Sequence, residues 1–104
     1  MEPEQLKGHL DGLILAVLAP APLHGYAVIE ALKLRSGGEL ALPEGTVYPA
    51  LHRLERDGLL ESDWTADSGR RRRVYGLTAR GRSELGLRRE RWRSFAATID
   101  AVLA

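Results

Sequence analysis

The spacing of apolar residues changes twice along the chain, and few small folds accommodate both changes. Leu6, Leu10, Leu13, Ile14, Val17 and Leu18 recur at intervals of three and four, which predicts one face of a first helix ending at Pro20. Beyond Pro20-Ala21-Pro22, the stretch from Gly25 to Arg35 carries Tyr26, Ile29, Ala31 and Leu32 and predicts a second helix stopped by Gly37-Gly38. A link from Glu39 to Pro43 leads to a third helical pattern, which starts at Thr46 or slightly later and ends at Gly58. The period then falls to two. Leu60, Ser62 and Trp64 alternate with Glu61, Asp63 and Thr65, and after an Ala66-Asp67-Ser68-Gly69 loop a second run from Arg72 to Leu77 completes a hairpin. Helical spacing returns after Thr78, a capping residue, with Leu85, Trp92, Phe95, Ile99, Val102 and Leu103 at intervals of one, three, four or seven.

Three helices, a hairpin and a last helix define a mainly α fold with a small β-hairpin. The expected architecture is a winged helix-turn-helix domain over residues 1–78, plus a C-terminal dimerisation helix over 79–104. In that architecture the third helix enters the major groove of DNA and the hairpin touches the flanking backbone or minor groove. A chain of 104 residues supports one modest core, so help from a second subunit fits its size. The apolar stripe on the last helix needs a cover, and helix one of the same or another subunit would supply it. Arg88 interrupts that stripe, which favours an interleaved helical dimer over a long zipper.

No cysteine is present, which removes disulfides, thiolate zinc sites and cysteine nucleophiles together. The longest apolar stretch, Leu13 to Leu23, is broken by Pro20 and Pro22 and is too short to span a bilayer. Glu2 and Glu4 stand where a signal peptide would carry basic residues, so a cytoplasmic location is expected.

The formal net charge is only +1, yet its distribution is uneven. Residues 1–52 sum to −3 and residues 53–104 to +4, while ten Arg against Glu84 and Glu90 make residues 70–93 +8. Such an asymmetry points to a polyanionic partner. On the third helix, Val47, Ala50, Leu51 and Leu54 share one buried arc. Tyr48, Pro49, His52, Arg53 and Arg56 share the opposite one. An Arg fork matches the O6/N7 edge of guanine, and Tyr or Thr hydroxyls reach phosphate or base, so this face suits groove reading. A solvated helix face is the plain alternative, and His52 is read as an accessory polar contact or a solvent-facing residue. Pro49 suits the first turn of a helix.

Arg70-Arg71-Arg72-Arg73 falls at the hairpin tip or the start of its second strand, where four adjacent charges repel one another and phosphates would relieve them. Strand alternation separates Arg70 and Arg72 from Arg71 and Arg73. Arg70 and Arg72 are the first candidates for DNA contact and Arg71 the next. Arg73 is expected to pair with Glu61 or Asp63 on the opposite strand.

On these residues the sequence resembles the PadR family of bacterial transcriptional regulators, in its compact subclass with a single C-terminal helix. The carrying segments are Leu13-Ile14-Leu15, Pro22-Leu23-His24-Gly25-Tyr26, Gly45-Thr46-Val47-Tyr48-Pro49-Ala50-Leu51-His52-Arg53-Leu54-Glu55 with Asp57-Gly58-Leu59-Leu60, and Gly69-Arg70 through Tyr75-Gly76-Leu77-Thr78 with Gly81. The resemblance implies a homodimeric repressor on a palindromic operator of double-stranded DNA. Carried over by position, Tyr26, Thr46, Tyr48, Pro49, Arg53 and the wing arginines would be the DNA contacts, with the last helix making the dimer. Relatives that bind aromatic or drug-like molecules near the dimer interface make Trp92 a candidate stacking surface for an effector, although a Trp in such a stripe is more often core.

The alternative is a protein-interaction module whose wing arginines meet an acidic protein surface. An enzyme has little support. His9, His24 and His52 lack metal-ligand spacing, and there is no nucleophile elbow or Gly-rich phosphate loop, so neither metal nor cofactor is expected.

Overall fold

The computed structural model describes residues 3–6, 8–67 and 69–104, and for Pro3, Glu4 and Asp67 the backbone alone. Five helices and three strands follow in the order α1 (Pro3–Leu6), α2 (Leu10–Leu18), β1 (Leu23–His24), α3 (Gly25–Arg35), α4 (Glu44–Arg56), β2 (Leu60–Asp67), β3 (Arg70–Leu77) and α5 (Ala79–Leu103). The fold is the expected one, mainly helical with a wing.

Four local features differ from the sequence expectation. The first helix is two, α1 and α2, separated at Gly8, whose φ of 84° is left-handed and ends the first segment. The third helix expected from sequence, α4 here, begins at Glu44 instead of Thr46. Extended Pro43 precedes it and its carbonyl accepts from Thr46 and Val47. Pro49 therefore lies in the second turn, not the first. It has no N–H to give the Gly45 carbonyl, and because Gly45 is exposed water can serve that group instead. The hairpin loop is shorter than expected, because Asp67 pairs with Arg70 and only positions 68–69 connect the strands; Ser68 lies outside the described residues. Finally, Leu23 and His24 form a third strand against Tyr75 and Val74, giving the sheet order β1-β3-β2.

The helix ends read correctly. The amide of Gly58 donates to Glu55 and that of Leu59 to Leu54, the paired bonds of a Schellman cap, and Gly58 takes φ 81° to make them. Gly37 and Gly38 close α3 through the same two bonds, to Leu34 and Lys33. Thr78 accepts from the Gly81 amide at 3.0 Å and donates to the Gly58 carbonyl at 2.7 Å, so one side chain caps α5 and ties it to the end of α4.

The core sits around α2, which packs on α3, α4, α5 and β3. Ile14, Leu15 and Leu18 meet Val28, Ile29 and Leu32 of α3, Val47, Ala50, Leu51 and Leu54 of α4, and Leu60, Tyr75 and Leu77 of the sheet. Burial raises the pKa of the Tyr75 phenol above its ordinary value, with smaller influences from Arg73, Glu55 and Tyr48. Leu85 of α5 is only 4% exposed and belongs to this core, so it offers little surface to a second copy. Beyond it, the stripe on α5 is uncovered.

Candidate nucleic-acid interface

Three elements converge on one cleft of about 700 Å³: the start of α3, the outer face of α4 and the wing formed by β2 and β3. It is lined by His24, Gly25, Tyr26, Tyr48, His52, Trp64, Arg70, Arg71, Arg72, Arg73 and Tyr75. No carboxylate is among the lining residues, and four guanidinium groups are, Arg73 being offset by Glu55 at the edge. A second hollow of about 560 Å³, lined by His52, Glu55, Arg56, Trp64 and Arg73, continues it along α4.

The cleft owes its shape to a close approach. A Cβ on Gly25 would lie 2.8 Å from Cζ and 2.9 Å from the hydroxyl oxygen of Tyr48. Only glycine lets the first turn of α3 meet that ring without displacing it. Next to it, Tyr26 is 54% exposed. The negative charge of Glu30, and then a hydrogen bond to it, raise the pKa of the Tyr26 phenol above its ordinary value.

Alternation along β3 sorts the four arginines. Arg73 is paired in register with Trp64, and Arg71 lies two residues away on the same face. Their guanidinium carbons stand 5.4 Å and 4.9 Å from the Trp64 ring centroid. Arg73 pairs with Glu55 of α4 at 3.5 Å, rather than with Glu61 or Asp63 as expected. The reason is the pleat: Arg73 shares the α4-facing side of the sheet with Ser62, which donates to the same Glu55 oxygen at 2.6 Å. Glu61 and Asp63 point to the other side. Arg72, on that other side, has Nη1 3.0 Å from Nε2 of His24.

Of the nine residues expected to meet DNA, Tyr26, Tyr48, His52, Arg70, Arg71 and Arg72 line the cleft. Thr46 is half-buried, Pro49 is exposed, and neither lines it. Arg53 also stands apart, in an ion pair and hydrogen bond with Asp11 of α2. His24 and Trp64 were not singled out as site residues. Trp64 continues the alternation of Leu60 and Ser62 past the point where the core ends, and that extension was the available signal. His24 gave none, because its neighbour Arg72 is distant in sequence.

At the far end of the chain, Trp92, Phe95, Ile99, Val102 and Leu103 are all exposed, Val102 to 80%. The Trp92 ring meets His9 edge-on at 5.3 Å and lies 6.0 Å from Phe95. Arg88, half-buried, pairs with Glu84 at 3.3 Å and reaches the Gly8 carbonyl at 3.5 Å. Among the described residues no group of His, Asp or Glu could hold a metal ion, and no helix is long and apolar enough to cross a membrane.

A third helix backed by a two-stranded wing, with tyrosines and arginines facing one cleft, defines a winged-helix DNA-binding regulator. Residues 14–87 match the model of the transcriptional regulator PadR-like family, and the chain belongs to that family. It is 58% identical over 72 residues to transcriptional regulator Rv3488 of Mycobacterium tuberculosis, a match covering 69% of this chain and 64% of that protein. Among solved structures, a PadR family transcription regulator from Clostridium difficile superposes with a TM-score of 0.82 at 32% identity, over 93% of this chain and 100% of the other. A transcriptional regulator from Clostridium thermocellum gives a TM-score of 0.85 at 25% identity, over 93% and 95%.

Proposed function

We propose that this PadR-like regulator acts in the cytoplasm as a homodimeric repressor of a palindromic operator. Residues 1–78 form its DNA-binding unit and residues 79–104 its dimerisation helix. In this reading α4 enters the major groove and the wing lies on flanking backbone or minor groove. The observation that carries it is the carboxylate-free cleft, where Tyr26, Tyr48 and His52 face the wing arginines. Tyr48 and His52 belong to the groove-facing set together with Thr46, Pro49 and Arg53, which lie farther along or beside the same helix. Arg53 reads a base edge once it exchanges Asp11 for DNA.

The exposed stripe of Trp92, Phe95, Ile99, Val102 and Leu103 supports the dimer, because an apolar row of this length gains from being covered by a second copy. Trp92, already in contact with His9 and Phe95, is the surface on which a flat aromatic effector would stack. Footprinting of bound genomic fragments tests the function. Two protected half-sites about one helical turn apart are the expected result. No fragment protected over non-specific competitor at physiological salt would favour the protein-interaction module instead.

A further inference from the structure

His24 joins β1 to α3, and two neighbours make the same demand of its ring. Nδ1 accepts from the Ala27 amide at 3.3 Å, which caps α3. Nε2 lies 3.0 Å from Nη1 of Arg72. A guanidinium has only N–H groups to offer, while a neutral imidazole has one bare nitrogen and one N–H. The ring can therefore accept at Nδ1 or at Nε2 but not at both, and a protonated ring accepts at neither. In every protonation state at least one of the two contacts sets donor against donor. Both side chains are half-buried, and the residues lining the cleft beside them include further arginines and no carboxylate. An oxygen that accepts from both partners removes the conflict, and among the clustered arginines an anionic one is favoured.

We propose that His24 and Arg72 together clamp one backbone phosphate of the bound DNA, an assignment that rests on the DNA-binding reading above. With a phosphate oxygen between them, Nδ1 keeps the Ala27 bond, Nε2–H donates to the phosphate, and Arg72 donates to it as well. The Nε2–H and the Arg72 N–H that faced it then share an acceptor. The clamp joins the residue preceding α3 to the wing, so that a single phosphate fixes both elements on the duplex. In the free protein, Arg72 rests on His24 in a contact that DNA replaces with a better one.

The test uses fluorescence anisotropy of the full chain with a duplex from upstream of its own gene, across a salt series. His24→Ser keeps a helix-capping oxygen and removes the phosphate donor. It is expected to weaken binding roughly tenfold. The salt slope should stay unchanged, because a neutral donor displaces no counterion. Arg72→Ala should weaken binding and flatten the slope by about 0.9 for each phosphate it no longer neutralises. Because the two residues share one phosphate, His24→Ser should cost far less in the Arg72→Ala background. Equal losses in both backgrounds, or wild-type affinity for the Ser variant, would overturn the clamp. If the wild-type chain binds neither this duplex nor any fragment of genomic DNA, the DNA-binding reading falls and takes the clamp with it. Imidazole ¹⁵N spectra of the unmutated protein provide an independent check: DNA should leave His24 with Nδ1 bare and Nε2 protonated, and a ring that keeps Nδ1–H in the complex contradicts the proposal.

Discussion

The cleft beside α4 and the distal half of α5 are both open to solvent, but they differ in what they lack. In and beside the cleft, guanidinium groups already have contacts within the chain: Arg53 pairs with Asp11, Arg73 pairs with Glu55, Arg71 lies over Trp64, and Arg72 rests against the His24 ring. DNA arriving there competes with existing contacts, so what it gains is a difference between two polar arrangements. Apart from the edge-on contact of Trp92 with His9, the α5 stripe has no such internal substitute. Trp92, Phe95, Ile99, Val102 and Leu103 are left to water, and a covering surface gains roughly 25 cal/mol for each Å² of apolar area it buries. Selectivity is therefore expected to reside in the cleft and assembly in the stripe.

The sharpest way to break this division is to charge the stripe. Phe95→Asp combined with Ile99→Asp should leave a folded monomer by light scattering. Loss of the second half-site should cut operator affinity on the order of 100-fold or more. A double variant that remains dimeric would move assembly elsewhere on the surface. Gly25→Ala attacks the cleft next, because the new methyl group runs into Tyr48. It should cost about 1 to 3 kcal/mol in denaturant unfolding. Adding Tyr48→Ala should recover part of that loss, and if it recovers nothing the ring is not the obstacle.

Arg53→Ala should cost about 1 to 3 kcal/mol on the operator and relax preference at particular base pairs. A variant that binds every sequence as tightly as wild type would remove Arg53 from base reading. The smallest effect is expected from Asp11→Asn. The pair it breaks is partly exposed, so stability should fall by less than about 1 kcal/mol. The freed guanidinium should raise affinity for mixed-sequence DNA by up to about fivefold, since an exposed pair holds it back by no more than that. Weaker non-specific binding in this variant would mean that Asp11 aims Arg53 at DNA and does not restrain it.

What could be read from sequence was what neighbouring residues decide. Gly58 and Thr78 marked the ends of α4 and α5 correctly, because a left-handed cap and a capping hydroxyl act within a few residues. The wing was legible through the alternation of Leu60, Ser62 and Trp64. Gly8 was hidden because the apolar spacing from Leu6 to Leu10 runs through it as though the helix were continuous. Sequence places the start of α4 late, since Pro49 looks like a first-turn residue until an exposed Gly45 shows how its missing bond is tolerated. Strand β1 is two residues long and is a strand only because β3 pairs with it. The contacts of Arg53, Arg72 and Arg73 join elements far apart in the chain, and periodicity carries no trace of them. Leu85 fitted the α5 stripe by spacing, yet the same helix crosses the core at one end and leaves it at the other.

The net charge of +1 gives little general attraction to DNA, so binding depends on a local surface that recognises a particular sequence. The most direct measurement is a salt titration of binding to the upstream region of its own gene, followed by fluorescence anisotropy with mixed-sequence competitor present. A dimer in which each subunit neutralises about three phosphates should retain its preference for the upstream duplex and show a log–log slope of roughly −5. Equal affinity for the two duplexes would contradict sequence recognition at this region, and a response flat in salt would contradict the assignment of the cleft to DNA.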